Sequence, residues 1–243
     1  MKALFSGYCL FCLLFSSVSW AQTPLDGGWK LASVDGQPLV GTEAIVILQD
    51  GYFMFGQHQS DGSFINAGGG SYEMADDKLN ILYDFLSDDA SQVRNPISYS
   101  AQLSGDQLTL KNTPNGTLVW ERIAEESTPL TGVWRFATRV DEEGNEGERR
   151  QPGPRMTIKI LSGNRFQWAA FNYETKDFRG TGGGTYEAAE DGTYTEKIEF
   201  FSRDDSRVGA SLSFQYNRAD DDWYHKGLNS RGEPMHEVWT KNK

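Results

Sequence analysis

Two histidines near the C-terminus have the residue type and the spacing for a metal site. His225 and His236 fall in two short segments that we expect to pair as a β-hairpin. With a turn centred near Ser230–Arg231, the two imidazoles would lie opposite each other, with Glu233 or Glu237 nearby. Such a ligand set suits zinc or another transition metal. Strand alternation could instead place His236 on the other face, and the first half of the chain has no equivalent histidine. A structural or surface role is favoured, so we predict no metal and no cofactor.

Carboxylates could support acid–base chemistry of the glycosidase kind, which needs two of them flanking the scissile bond. Four glutamates are candidates, two after a glycine triplet and two on a predicted strand: Glu73, Glu187, Glu196 and Glu199. Carboxylates on strands usually face solvent, so this chemistry is not favoured. The acidic pairs 88–89 and 204–205 could bind calcium, but they lack the regular spacing of a dedicated loop. We interpret them as turn caps.

The N-terminus is typical of a secretory signal peptide. Lys2 precedes an apolar run over residues 3–18, and Ser19-Trp20-Ala21 offers small residues for a signal peptidase. The apolar run is shorter than the roughly 20 residues that a membrane-spanning helix requires. We therefore expect export to the periplasm or the extracellular space, removal of residues 1–21, and no membrane-spanning segment in the mature chain.

The remaining composition argues against several classes of function. Both cysteines, Cys9 and Cys12, lie in the signal segment, so the mature chain has neither a disulfide nor a cysteine nucleophile. No serine lies in a nucleophile elbow. The formal net charge of −11 argues against a nucleic-acid partner, which would need a concentrated basic face. We predict no catalytic residues, and hence a protein that is not an enzyme.

An internal repeat decides the architecture that must position these residues. Four blocks of the first half return in the same order in the second half, the third with one inserted residue. The paired blocks are 25–31 and 130–136, 68–73 and 182–187, 85–93 and 200–208, and 118–122 and 237–241. A short charged segment that ends in proline, residues 124–129, is interpreted as a linker. The predicted domains are repeat 1 at 22–123 and repeat 2 at 130–243.

Within each repeat the hydrophobic period is two, as in β-strands. At 97–103 and at 156–160, apolar residues alternate with polar ones such as Thr157 and Lys159. Glycine-containing turn signals separate these runs, and no mature segment has a convincing amphipathic helix pattern. This predicts an all-β fold of two tandem small antiparallel barrels, with each sheet apolar on the buried face and polar on the other.

A Gly-x-Trp motif near the first strand and a basic residue on the last resemble the lipocalin (calycin) superfamily. The motif is Gly27-Gly28-Trp29 in repeat 1 and Gly132-Val133-Trp134 in repeat 2. The resemblance implies structural roles for four residues, with each tryptophan plugging a closed barrel end under a basic side chain: Trp29 with Arg122, and Trp134 with Lys241. Lysine departs from the arginine of the pattern, which weakens planar stacking.

Repeat 2 is also similar to lipocalin-like families of unknown function in secreted proteins of Gram-negative bacteria. The similarity is carried by "FQWAAFNYETKDFRGTGGGTYE", "YTEKIEFFSRDDSRVG" and "HEVW". It implies a barrel and export, and it implies no catalytic residue. Repeat 1, with "GGGSYE" and "LVWER", looks like a diverged member.

Aromatic residues at inward barrel positions could line a ligand cavity. In repeat 2 the candidate ligand-binding residues are Phe166, Trp168, Tyr186, Phe200 and Phe214. In repeat 1 the rings expected to face inward include Phe53, Tyr72, Tyr83, Phe85 and Tyr99. Alternatively, such rings fill a small barrel and leave no cavity.

These observations favour a secreted or periplasmic, non-enzymatic, lipocalin-like protein that binds a small hydrophobic or amphipathic ligand in one barrel, more readily in the second. The alternative is a structural or protein-interaction module of the cell envelope, with filled barrels and an envelope protein as its partner.

Overall fold

A computed structural model describes residues 25–124 and 127–242 of the chain. In this part of the chain, two closed antiparallel barrels follow each other in sequence, so the all-β, tandem-barrel prediction is confirmed. The predicted signal peptide, residues 1–21, lies outside the described residues, as do residues 125 and 126 of the predicted linker. No helix within the described ranges is long and apolar enough to cross a membrane.

The first barrel is a meander that closes where β1 pairs with β9, and the short β2 pairs with β1. Its strands are β1 (Gly27–Val34), β2 (Gln37–Pro38), β3 (Thr42–Gln49), β4 (Tyr52–Gln59), β5 (Phe64–Ala75), β6 (Lys78–Leu86), β7 (Pro96–Ser104), β8 (Gln107–Thr113) and β9 (Gly116–Ala124). A single 3₁₀ turn, Ala90–Gln92, connects β6 to β7.

The second barrel repeats this order and closes where β10 pairs with β17. Its strands are β10 (Gly132–Arg139), β11 (Arg155–Ser162), β12 (Arg165–Asn172), β13 (Asp177–Ala188), β14 (Thr193–Phe201), β15 (Ser211–Ala219), β16 (Asp222–Leu228) and β17 (Pro234–Lys241). A 3₁₀ turn at Asp205–Arg207 corresponds to the turn of the first barrel.

A buried tryptophan lies under a basic side chain in each barrel. The Trp29 Nε1 donates to the Leu25 carbonyl, and the Arg122 guanidinium lies 4.1 Å from the Trp29 ring centroid. In the second barrel the Lys241 Nζ lies 4.5 Å from the Trp134 ring. The Arg218 guanidinium covers the same ring at 4.7 Å. An arginine from β15 thus supplies the planar contact that lysine on the last strand lacks.

In both barrels a β-bulge reverses the alternation of one strand. The extra residue is Asp84 in β6 and Glu199 in β14. One extra residue moves every later side chain of the strand to the opposite face. The prediction that Phe85 and Phe200 face the barrel interior is therefore wrong, because both rings lie outside, between the barrels.

The glycine beside each bulge has no room for a side chain. A Cβ atom on Gly184 would lie 2.0 Å from the Lys197 carbonyl oxygen, and one on Gly70 equally close to that of Leu82. We expect Gly184→Ala to lower the free energy of unfolding by about 2–3 kcal/mol, as overpacking of a tight interior does. Denaturant unfolding measures this change. The control is Gly153→Ala, whose Cβ would meet nothing within 4 Å. A Gly184→Ala variant as stable as Gly153→Ala would contradict the bulge.

The two barrels pack against each other through the outer faces of β3, β4, β11 and β12. Ile45 and Ile47 of β3 share one buried cluster with Ile158 and Ile160 of β11. Each barrel therefore buries apolar side chains both inside itself and outside, against its neighbour.

This interface has approximate two-fold symmetry. Two sets of stacked rings cross it. Phe85 of the first barrel stacks on Phe171 and Phe178 of the second, and Phe200 of the second stacks on His58 and Phe64 of the first. The strand register makes the two sets equivalent. Equivalent residues also meet directly. Phe64 stacks on Phe178 with centroids 6.4 Å apart, and Ser162 Oγ donates to Gln49 Oε1 at 2.6 Å. The barrels thus associate like the subunits of an isologous dimer, within one chain.

Candidate functional site

The second barrel encloses a cavity of about 560 Å³. Three of the five aromatic residues predicted to bind a ligand line it, namely Phe166, Trp168 and Phe214. Its volume lies within the range of about 300–1,000 Å³ that small-molecule sites occupy. The rings of this barrel therefore leave space for a ligand instead of filling the interior.

The other two predicted residues lie elsewhere. Tyr186 is buried in the core of the barrel and does not line the cavity, and its hydroxyl lies 2.9 Å from the Thr128 Oγ1. Phe200 lies at the interface between the barrels, where it stacks on His58 with centroids 5.5 Å apart. The next residue, Phe201, lines the cavity in its place, because the bulge at Glu199 shifts the alternation by one.

A buried ion pair forms part of the cavity wall. The Lys159 Nζ donates to the Glu196 Oε1 at 2.6 Å, and both side chains are less than one-tenth exposed, at 5% and 7%. The Tyr194 hydroxyl donates to the same oxygen at 2.6 Å. Burial, together with the Glu196 charge, raises the pKa of Tyr194 well above its usual value, so this hydroxyl stays protonated.

Aromatic rings surround the ammonium group of Lys159. The Nζ lies 5.3–5.7 Å from the centroids of four rings, those of Phe166, Tyr194, Trp223 and Trp239. A cation within about 6 Å of a ring is attracted by its negative face. The rings and the carboxylate together offset the free-energy cost of removing the ammonium group from water.

His225 is a buried polar residue of the cavity lining that has no hydrogen-bond partner among the described residues, and the Nε1 of Trp239 in the same lining is another such group. The histidine is 1% exposed and lines the cavity, and neither ring nitrogen has a hydrogen-bond partner in the described part of the chain. Its ring packs against Phe214, with centroids 4.1 Å apart. Burial, with the charges of Lys159 and His236, lowers the pKa of His225 well below its usual value. The imidazole is therefore neutral, with one N–H donor and one acceptor to offer.

Glu237 adds a second carboxylate to the cavity wall. Its Oε1 lies 3.5 Å from a guanidinium nitrogen of Arg139, whose side chain is 75% exposed. Burial raises the pKa of Glu237, although Lys159 and Arg139 oppose this effect. This carboxylate is thus held less firmly than that of Glu196.

The first barrel carries aliphatic residues at the positions of these ionisable groups. The strand register gives the equivalents as Val46 for Lys159, Ile81 for Glu196, Leu110 for His225 and Leu118 for Glu237. All four belong to the core of the first barrel or pack against it. Buried charges cost free energy unless they are paired. The first barrel closes without these groups, so closing a barrel does not explain their presence in the second.

Arginines concentrate at the rim of the cavity, where solvent-exposed residues of its lining lie. The lining includes six basic and three acidic residues, although the whole chain has a net charge of −11. Arg207 is paired with Asp204 at 2.9 Å, and the Ser206 hydroxyl and Arg207 together lower the pKa of Asp204 to about 2. Arg150 and Arg203 have no carboxylate partner within residues 25–124 and 127–242.

The structure does not bring the two C-terminal histidines together. His225 pairs with Glu237 in the hairpin of β16 and β17, and His236 pairs with Lys226. The turn is one residue longer than expected, with Leu228 opposite Pro234, so the histidines point to opposite faces. Among the described residues, no group of three or more His, Cys, Asp or Glu could hold a metal ion.

The acidic candidates are also dispersed. Glu73 and Glu187 are exposed, and Glu199 pairs with Arg165 at 2.5 Å, away from Glu196 in the cavity. The acidic pairs cap their turns, because the carboxylates of Asp89 and Asp204 accept the backbone N–H of Ser91 and Ser206.

Sequence reasoning missed the polar groups of the cavity. The alternation predicts Lys159 on the polar face of its strand, and the sequence points to Glu196 only for acid–base chemistry and to Glu237 only for metal binding. A position-by-position comparison of the two repeats carries the signal, because each group aligns with an aliphatic residue of repeat 1.

Residues 129–243 match a family model described as a domain of unknown function, DUF4488. The match covers the second barrel, which holds the cavity. No curated protein matches the chain.

Proposed function

We propose that the protein is an exported, non-enzymatic binding module of the bacterial cell envelope that takes a small amphipathic ligand into its second barrel. The observation that carries this proposal is the unpartnered, buried His225 at the wall of a cavity of about 560 Å³. Leaving a buried polar group without a hydrogen bond costs roughly 1–3 kcal/mol. A ligand that hydrogen-bonds to the imidazole removes this cost.

The difference between the barrels supports the same assignment. At four interior positions the first barrel carries aliphatic residues, while the second has a lysine, two glutamates and a histidine there. Polar groups placed in an otherwise apolar pocket fix the orientation of a ligand and provide specificity. The first barrel then acts as a structural partner that covers the outer face of β11 and β12.

A cavity-filling substitution tests this function. Leu212 lines the cavity, and Ile97 is its equivalent in the first barrel. We expect the neutral fluorescent probe phenylnaphthylamine to bind once per chain, and Leu212→Trp to weaken its binding about tenfold or more by occupying the space. The matched control Ile97→Trp should leave the affinity unchanged.

Two results would count against binding in the second barrel. One is a loss of affinity with Ile97→Trp but not with Leu212→Trp. The other is a parent protein that binds no probe and whose native mass spectrum, after purification from its source, repeatedly shows no small molecule. The second result would favour a structural or protein-interaction role.

A further inference from the structure

We propose that the ligand is a small organic anion whose apolar or aromatic body carries a neutral hydrogen-bonding group at the end remote from its negative charge. The inference rests on the proposed function, since it names the class of molecule that the second barrel takes. Three regions of the cavity carry it: the wall, the rim and the buried imidazole.

The wall selects an apolar body. Its apolar part is formed by rings and aliphatic side chains, among them Phe136, Phe166, Trp168, Phe201 and Leu212. Glycines 182 and 183 form part of one side, and a Cβ atom on Gly182 would lie 3.0 Å from the Trp168 Nε1. These rings favour a planar or extended apolar group, which gains stacking as well as burial.

The rim selects a negative charge. The Arg150 guanidinium lies 4.7 Å from the Phe136 ring centroid, held by a ring instead of by a carboxylate. The Arg203 side chain donates to the Arg179 carbonyl, and the missing Cβ of Gly180 leaves room for it. Both guanidinium groups are thus positioned without having their charges neutralised by described carboxylates. Guanidinium groups suit carboxylate and phosphate ligands, which they bind through paired N–H donors.

The buried end selects a neutral hydrogen-bonding group. Lys159 and Glu196 neutralise each other, and Tyr194 donates to the same carboxylate, so this set needs no further charge. His225 lacks any partner and offers one donor and one acceptor. A hydroxyl or amide on the ligand matches this pattern. A purely apolar ligand would leave the imidazole unsatisfied. Glu237, opposite His225, has Arg139 as its partner, so a cation would meet the excess positive charge of the lining.

Two series of matched compounds test the inference by calorimetry. Each series has a naphthalene or a biphenyl body, with a carboxylate and a hydroxyl at opposite ends, the carboxylate alone, or the hydroxyl alone. We expect the compound with both groups to bind about tenfold or more tightly than either partner in at least one series. The advantage of the carboxylate should shrink as salt is raised, because the rim is exposed.

Variants assign each preference to its region. Arg150→Gln with Arg203→Gln should remove most of the carboxylate preference, roughly a fivefold to tenfold loss. His225→Leu, which installs the residue of the first barrel, should remove the hydroxyl preference. The control Lys78→Gln with Lys111→Gln makes the same charge change on exposed sites of the first barrel and should alter neither preference.

The outcomes separate this inference from the proposed function. If all compounds bind, compete with phenylnaphthylamine and differ less than twofold, the ligand class is wrong while the cavity remains a binding site. If the protein prefers carboxylate compounds but keeps this preference after the Arg150 and Arg203 substitutions, the rim is not its origin and the inference is overturned. If no compound and no neutral probe binds, the proposed function itself fails.

Discussion

Replacing Lys159 by valine alone is expected to lower the free energy of unfolding by about 3–5 kcal/mol, because the Glu196 carboxylate then stays buried without its cation. In the parent the two groups lie 2.6 Å apart. Valine occupies the equivalent position in the first barrel, as Val46, so shape is not the reason for the loss. Denaturant unfolding, followed by circular dichroism, measures the change.

The matched control removes the buried ionisable groups of the cavity together. It combines five substitutions taken from the first barrel, where Leu79 is the equivalent of Tyr194: Lys159→Val, Tyr194→Leu, Glu196→Ile, His225→Leu and Glu237→Leu. Exchange of buried ion pairs for well-packed apolar residues is often neutral or stabilising by about 1–4 kcal/mol, so this variant should be at least as stable as the parent. It should also lose the hydroxyl preference. If it unfolds as readily as Lys159→Val, the polar groups serve the fold, and the ligand-site interpretation is contradicted.

The tandem barrels could be predicted from the sequence because their signals are local. Period-two alternation and turn residues identify strands without reference to the rest of the chain. The repeat adds the boundary, since blocks such as 68–73 and 182–187 can be aligned directly. Both barrels then follow from one assignment, and the Gly-x-Trp motifs mark the start of each.

Alternation does not show which face of a strand lies inside the barrel. In β11 the apolar residues Ile158 and Ile160 are fully buried, but against the first barrel, while Lys159 points into the cavity. A strand between a cavity and a domain interface buries both faces, so its most apolar face need not point into the barrel. An assignment made for one barrel alone therefore places Lys159 in solvent.

One-residue differences account for the other errors. The bulge at Glu199 moves Phe200 from the cavity to the interface, and the longer turn after Leu228 separates His225 from His236. Since the side-chain period of a strand is two, a shift of one residue reverses every contact beyond it. Neither the bulge nor the turn length has a sequence pattern strong enough to be found from one chain.

A second substitution with a large expected effect on stability lies in the aromatic interface between the barrels. Phe85→Ala should lower the free energy of unfolding by about 3–5 kcal/mol, the usual cost of truncating a buried phenylalanine. The Phe85 ring is 2% exposed and stacks on Phe171 and Phe178 of the second barrel, with centroids 5.0 and 5.8 Å away. Its removal should therefore weaken both barrels, although it lies in only one of them.

Hydrogen exchange measured by mass spectrometry resolves where the stability is lost. Phe85→Ala should speed amide exchange in β12 and β13 as well as in the first barrel, because local stability follows the contacts that each element makes. Phe53→Ala is the control, since Phe53 is buried inside the first barrel and should affect exchange there alone. By the approximate two-fold symmetry, Phe200→Ala should produce the mirror effect in β4 and β5. Exchange in β12 and β13 that is unchanged by Phe85→Ala would show that the barrels do not stabilise each other.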